Sequence, residues 1–502
     1  MRIVKIILVQ VIFFLSLISA AAQGFPSLDA STAAYDFAQR VTGNNWIDLA
    51  EAALWASSCD TGTEAKAVSY IERIKEAAAE LAATELPDDP KNRGEYVLGF
   101  LHKKFLKSYS EHQTRIDEIF ISGKYNCVSS AVLYMVLGLS VDLDIEGAMT
   151  KDHAFVSVNT GTERIDVETT NPYGFDPGNR KEFHDAFGKI TGYAYTPARN
   201  YRDRAQINGA ELVSLIFSNR ISELERKNRF IEAVPLAINR AIFLSGNPAT
   251  QNNTEIKIDF FEDPYKDMMT RLYNLGAYYL KNGKEDEAIA WAEYAGSRFS
   301  ETQGNPNLSV SAENPNRWQE LIHSAANNKL VKLIRTKKTP NARVVLDELK
   351  PKLTDTQFLE LDAMVLEAEA AEKINNIKYA GDAQSALEFL AKYNDRLKPQ
   401  RRDEMRLVAI LGETDRLGKL KDWAGAIHWL NETIAQYGTN AKLEAALQTM
   451  RQNRINELHN KFAAFYNKKD FESAKTSIQQ SLEEFPGDRQ LLKDLELVEK
   501  AL

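Results

Sequence analysis

Cys127, His153 and an acidic residue at 166 or 168 occur in an order that thiol acyl-transfer chemistry requires. They sit in three runs: Asn126-Cys127-Val128-Ser129-Ser130, Asp152-His153-Ala154-Phe155-Val156 and Ile165-Asp166-Val167-Glu168-Thr169-Thr170. A thiol near neutral pH is mostly protonated. A nucleophilic cysteine therefore needs an imidazole to take its proton, and the imidazole needs a carboxylate or amide to fix its tautomer. A lone buried cysteine or a lone strand histidine is usually packing. The chain has only two cysteines and seven histidines, and one of each falls in the order and local context the chemistry needs.

Each segment predicts an element able to hold its residue. Val128, Ala131, Val132, Met135, Val136 and Leu139 recur at helical spacing, which puts Cys127 in the first turn of a buried helix. There the unpaired backbone N–H groups and the helix dipole favour thiolate and can donate to an oxyanion. His153 opens an alternating strand, Asn159-Thr160-Gly161-Thr162 supplies a turn, and a second strand runs from Arg164 to Thr169. The antiparallel register brings His153 opposite Glu168 or its neighbour. Glu168 is the preferred orienting carboxylate, with Asp166, two residues nearer the turn on the same face, as second choice. Asn126, Tyr125 and Gln113 are candidates for lining the cleft or donating to the oxyanion; a cap for Asn126 and a plain helix-face position for Gln113 are the alternatives. Tyr173 and Phe175, in the turn-rich loop 171–178, either wall the cleft or pin the loop to the core.

These motifs resemble the transglutaminase-like core, a relative of the papain-type fold, over roughly residues 90 to 200. The carriers are a cysteine opening a helix in Asn126-Cys127-Val128-Ser129-Ser130-Ala131-Val132-Leu133-Tyr134, a strand beginning His153-Ala154-Phe155, and a following strand ending in acid-x-Thr. The resemblance implies Cys127 as nucleophile, His153 as general base and then acid, and Glu168 where most members carry aspartate. Phe155 stands where many members have tryptophan, and Glu168-Thr169-Thr170 replaces the commoner Asp-Pro-Thr.

Residues 1–22 read as a signal peptide: a basic start with Arg2 and Lys5, an apolar run from Ile6 to Ile18, then Ala20-Ala21-Ala22 before Gln23. No later run has the ~18 apolar residues of a spanning helix. The expected product is exported, periplasmic or secreted. Removing Arg2 and Lys5 takes the formal charge from −8 to −10, which gives no electrostatic case for nucleic acid. Cys59 and Cys127 alone make no disulfide framework, so apolar burial must hold the core; a bridge between them would act as a redox switch.

Residues 23–88 read as a helical region ending at Leu86-Pro87-Asp88-Asp89-Pro90, residues 89–208 as the core, with helix over 94–121, and residues 209–502 as a helical array. Asp142, Asp144 and Glu146 lack the ligand spacing of a calcium loop, and alternate Leu143 and Ile145 fit a strand. His102 and His112 have no partner at metal-ligand spacing. No Gly-rich phosphate loop or zinc signature occurs, so no cofactor is expected.

In the array, small-then-apolar anchors recur at Ala233, Ala288, Ala342, Ala386, Ala426 and Ala474, with spacings of 55, 54, 44, 40 and 48. These exceed the roughly 34 residues of a tetratricopeptide repeat, although single units look similar. The fold class is therefore α+β: a Cys-bearing helix on an antiparallel sheet carrying His and acid, followed by a C-terminal α-solenoid whose concave surface suits a protein partner. The function expected is an exported thiol enzyme acting on peptide or protein amide bonds, as peptidase, amidase or transglutaminase. The alternative is a catalytically silent core whose helical array serves as scaffold.

Overall fold

The alternation around Val156 does build a strand, and the first half of the chain is arranged about it. The computed structural model describes residues 24–58, 64–192, 204–251, 263–299 and 316–502. They divide into two compact units, one up to Ala325 and one from Ala326 to Leu502. The segment 1–22, expected to be a signal peptide, and Cys59 lie outside the described residues. The described chain is mostly helical with a small antiparallel sheet.

The first unit opens with helices α1 (Thr32–Arg40), α2 (Trp46–Ser58), α3 (Glu64–Ala82) and α4 (Pro90–Lys104). Asp89 caps α4 and Pro90 stands in its first turn, where a missing N–H costs nothing. The helix expected over 94–121 is broken. Phe105 N–H closes the last turn on Leu101 O, and the Lys107 and Ser108 N–H groups turn to Gly123 O. Strand β1 (Ser108–Tyr109) then runs parallel to β2 (Lys124–Tyr125), with α5 (Ile116–Ser122) between them. The polar run from Lys107 to Thr114 has no apolar face to bury, so pairing beside Cys127 replaces helix.

Helix α6 (Cys127–Leu139) is buried from Val128 to Gly138. Burial of each large aliphatic side chain contributes about 1.5–3 kcal/mol, which makes α6 the keel of the unit. It lies against β3 (Asp144–Met149) and β4 (Ala154–Asn159). A Cβ on Gly138 would come within 2.2 Å of Ile145 Cδ1, so a bare backbone is needed for this approach. With β5 (Arg164–Val167) and β6 (Ala205–Ile207) the antiparallel order is β5-β4-β3-β6. Gly161, at φ 85°, turns the β4–β5 hairpin. Strand β3 exposes Asp144 and Glu146 and buries Ile145, a half-solvated strand. Helix α7 (Lys181–Thr191) precedes β6.

Helices α8 (Gly209–Arg226), α9 (Phe230–Ser245), α10 (Pro248–Gln251), α11 (Pro264–Lys281) and α12 (Glu285–Arg298) complete the described part of this unit up to Ala325, together with the start of α13 (Arg317–Arg335). The helical run thus begins at 209, while the compact units divide at 325, because α8 packs on α2, α6 and β3. In the second unit α14 (Thr339–Leu349), α15 (Asp355–Asn375), α16 (Asp382–Lys392), α17 (Pro399–Lys419), α18 (Trp423–Tyr437), α19 (Ala441–Asn467), α20 (Phe471–Glu484) and α21 (Arg489–Glu499) contact their sequence neighbours in turn. The six anchor alanines fall in α9, α12, α14, α16, α18 and α20, and each is at most 1% exposed. A solenoid-like second half is compatible with this succession. Gly276 shows the small-residue logic: a Cβ there would meet Leu321 Cδ2 at 2.3 Å and Trp291 Cδ1 at 3.2 Å.

Candidate functional site

Asn126 is where the chain turns from β2 into α6, and its amide holds that corner. Its Oδ1 accepts from Ser129 N–H at 3.0 Å, and Ser129 Oγ accepts from Asn126 N–H at 3.0 Å, a reciprocal cap. Asn126 Nδ2 donates to Glu111 O at 3.1 Å, and Ser130 N–H donates to Asn126 O. The backbone N–H groups of Cys127 and Val128 are left without an acceptor among the described residues. Both residues line the cleft on which the partly exposed Cys127 thiol opens.

His153 stands one residue before β4. The observed register pairs Ser157 with Asp166 and Val156 with Val167, so its continuation sets Phe155 against Glu168 and places His153 on the same face, one diagonal away. Glu168 Oε2 accepts from His153 Nε2 at 2.5 Å. Cys127 is the other polar neighbour of the His153 ring, and with Nε2 taken by Glu168, Nδ1 is the nitrogen left to face the thiol. Burial works against the imidazolium. The charge of Glu168, the neighbouring Cys127 thiol and the hydrogen bond with Glu168 outweigh it, and hold the His153 pKa well above 6.5.

The carboxylate is itself fixed. Glu168 is 3% exposed, and its Oε1 accepts from Thr170 Oγ1 at 2.7 Å and Thr170 N–H at 3.3 Å. The following residues are tied to three elements. Thr169 Oγ1 bonds Ser130 Oγ of α6 at 2.8 Å, Thr169 O accepts from His102 Nε2 of α4 at 3.0 Å, and Thr170 O accepts from the Tyr125 hydroxyl at 3.0 Å. Burial holds His102 down at about 4, against the bond to Thr169 O, so it is a neutral donor. Burial, with the charge of Glu168 adding, pushes Tyr125 up to about 12 and keeps its hydroxyl proton in place. Gly174 closes this clamp: its O accepts from Glu168 N–H at 2.8 Å, and a Cβ on it would lie 1.9 Å from Glu168 O.

The sequence candidates therefore separate. Cys127, His153 and Glu168 come together. Asp166 is engaged by Arg204 and Ser157 and does not orient His153. Tyr125 and Asn126 spend their side chains on Thr170 O and on the corner, which makes them supports rather than side-chain oxyanion donors. Gln113 accepts from Arg115 N–H through Oε1 and lies outside the cleft lining. Phe175, 1% exposed, pins its loop by pairing with Val167, while Tyr173 is 49% exposed and also outside the lining.

The cleft has a volume of about 390 Å³. One wall comes from the Cys127 corner and the 149–154 segment, the other from Leu215, Asn219, Ser222, Glu223 and Arg226 of α8. That second wall was not read from the sequence; the spacing of its residues, three to four apart on one helix face, was the available signal. His112 lies at its rim, with Arg226 Nη1 donating to its Nε2 at 3.2 Å. Among the described residues no group of three or more His, Cys, Asp or Glu is placed to hold a metal, and no helix is long and apolar enough to cross a membrane.

The site is thus a cysteine at a helix N-terminus, an imidazole at a strand entry and a buried glutamate, meeting at a polar cleft. No protein-family model and no curated protein matches the chain. Among solved structures, a crystal structure of menin, described as revealing the binding site for Mixed Lineage Leukemia (MLL) protein, aligns with 77% of this chain and 93% of that one. The identity is 15% and the TM-score 0.27, too loose a superposition to carry an argument.

Proposed function

We propose that the chain is a thiol-dependent acyl-transfer enzyme of the transglutaminase-like type, acting on amide bonds of peptides or proteins. The observation that carries this reading is the line from Cys127 through His153 to Glu168, with a 2.5 Å Nε2 to Oε2 bond at its buried end and an open cleft at the other. The Cys127 thiol passes its proton to His153, and the thiolate sulfur attacks the carbonyl carbon. The carbonyl electron pair moves onto oxygen, which the free N–H groups of Cys127 and Val128 receive. Collapse breaks the C–N bond, His153 protonates the departing amine, and a thioester remains. Water or a second amine then attacks the thioester, His153 takes its proton, and the sulfur leaves to recover that proton as thiol. Water completes hydrolysis, whereas an amine completes transamidation.

The buried anchor alanines support a tetratricopeptide-like array that presents a surface to a protein substrate or partner. The basic and apolar start of the chain supports export to the periplasm or outside the cell.

The test is the pH dependence of iodoacetamide labelling at Cys127 in the reduced, full mature chain, set beside His153→Ala. A thiolate–imidazole pair labels rapidly below pH ~7, where an unassisted thiol of reference pKa about 8.5 is only ~1–3% ionised, and His153→Ala slows labelling by roughly 30- to 100-fold. Labelling that follows an ordinary thiol in both proteins removes the enzyme reading and leaves the core as a silent module beside the array.

A further inference from the structure

Asp166, the carboxylate that does not orient His153, is built into a second arrangement on the same strand face. It lies directly opposite Ser157 across β4 and β5 and accepts from Ser157 Oγ at 3.1 Å. Arg204 grips both carboxylate oxygens, Nη1 to Oδ2 at 2.8 Å and Nη2 to Oδ1 at 2.6 Å, and Nη2 also donates to Ser157 Oγ at 2.8 Å. Such a two-pronged guanidinium–carboxylate pair has little freedom to rotate. The Arg204 guanidinium carbon stands 5.1 Å from the centroid of the Phe155 ring. The His153 imidazole lies against the same ring, with centroids 6.0 Å apart and planes 21° from parallel. Residues 153, 155 and 157 alternate onto one face, so Arg204, anchored at 157, approaches Phe155 from the side away from His153.

We propose that Asp166, Arg204 and Phe155 form a positioning platform for His153: the ion pair clamps the phenyl ring, and the ring sets the plane of the imidazole between Glu168 and Cys127. This deepens the thiol-enzyme reading and rests on it. None of the three touches the reacting atoms. Their work is needed because His153 precedes the ladder, its side chain keeps 21% exposure, and rotation of an imidazole about its last torsion is soft. Stacking on a 4%-exposed phenyl ring removes that freedom.

The platform also has to be neutral. A bare guanidinium on one side of an aromatic ring opposes an imidazolium on the other, by direct repulsion and by competing for the same π electrons. Asp166 cancels that charge at the guanidinium itself. The other groups around His153 are Glu168 from the end of β5, Cys127 from α6, Lys151 and Asp152 from its own segment, and Glu223 and Arg226 across the cleft on α8.

The experiment follows two readouts in the full-length protein: the His153 titration midpoint by NMR with ¹⁵N-labelled histidine, and the Cys127 alkylation rate near pH ~6.5, the histidine reference value. Phe155→Leu is expected to slow alkylation on the order of tenfold through misplacement of the imidazole, with Phe155→Trp restoring most of it. Asp166→Asn is expected to lower the His153 midpoint, and Asp166→Asn with Arg204→Gln to bring it back, since the second change removes the uncompensated charge. A midpoint unmoved by Asp166→Asn, or Phe155→Leu alkylating at the wild-type rate, overturns the platform and leaves the three residues as packing. If Phe155→Leu does not fold, the two charge variants decide. If wild-type Cys127 itself shows no His153-dependent reactivity, the thiol-enzyme reading falls, while the midpoint series still tests the platform.

Discussion

Glu168 in the first unit and Asp362 in the second are both carboxylates shut away from solvent, at 3% and 0% exposure, yet their partners differ in kind. Asp362 on α15 is held by two guanidiniums, Arg343 at 2.5 Å and Arg396, and Arg343 also bonds Glu369 at 2.9 Å. Arginine stays charged at any accessible pH, so that cluster has one state and acts as a rivet between helices. Glu168 is held by hydroxyl and amide groups of Thr170 and by one imidazole whose charge changes with pH. A buried carboxylate tied to a titrating partner is a poised group; one tied to arginines is a fixed one. The contrast also separates the costs of damage. Near Glu168 a substitution should strike chemistry, and near Asp362 it should strike folding.

Glu168→Gln should give the largest departure from wild type. A glutamine amide can donate to Nε2 and impose the wrong tautomer, so Cys127 alkylation near neutral pH is expected to fall by ~100-fold or more. The same variant has a pH signature. Because the folded-state pKa of His153 is raised above 6.5, the stability it adds is fully present below 6.5 and is lost as pH rises through the raised value. The Tm difference between wild type and Glu168→Gln should therefore be widest below pH 6.5 and narrow above it. A gap that widens with rising pH would contradict the assignment of His153 and Glu168 as a pair.

Gly174→Ala comes next and links the two kinds of damage. Its Cβ would sit 1.9 Å from Glu168 O, so the clamp must open, with an expected loss of about 2–4 kcal/mol in urea unfolding and slower alkylation together. Asp362→Ala should unfold the second unit about 2 kcal/mol more easily, discounted from a fully buried pair because both arginines are partly exposed, and leave Cys127 alkylation at the wild-type rate. A change in alkylation there would break the comparison. Tyr125→Phe should be the mildest, about 1 kcal/mol for the lost bond to Thr170 O, measured by the same unfolding curves.

The parts of the site that were legible in the sequence are those set by neighbours along the chain. The apolar spacing after Cys127 marks a helix start, Asn159 to Thr162 marks the hairpin turn, and counting back from that turn favours Glu168 over Asp166. What was not legible depends on distant partners. Nothing local to Asp166 announces Arg204, 38 residues on, and nothing local to Cys127 announces that α8 closes its cleft. The side-chain types of Tyr125 and Asn126 suit an oxyanion donor. Their hydrogen-bonding capacity is instead consumed by Thr170 O and Glu111 O, acceptors 45 and 15 residues away. The expected helix over 94–121 failed for a related reason: β1 exists only because β2 lies beside it.

The corner at Asn126 reverses what a helix end ordinarily does. Termini fray first, and their amides trade protons with solvent while the middle of the helix stays closed. Here Asn126, Ser129 and Ser130 have their N–H groups locked into one knot, whereas Cys127 and Val128, between them, do not. In deuterated water this predicts a slow–fast–slow pattern: two rapidly exchanging amides at the mouth of the cleft, flanked by three that exchange only when the surrounding unit opens.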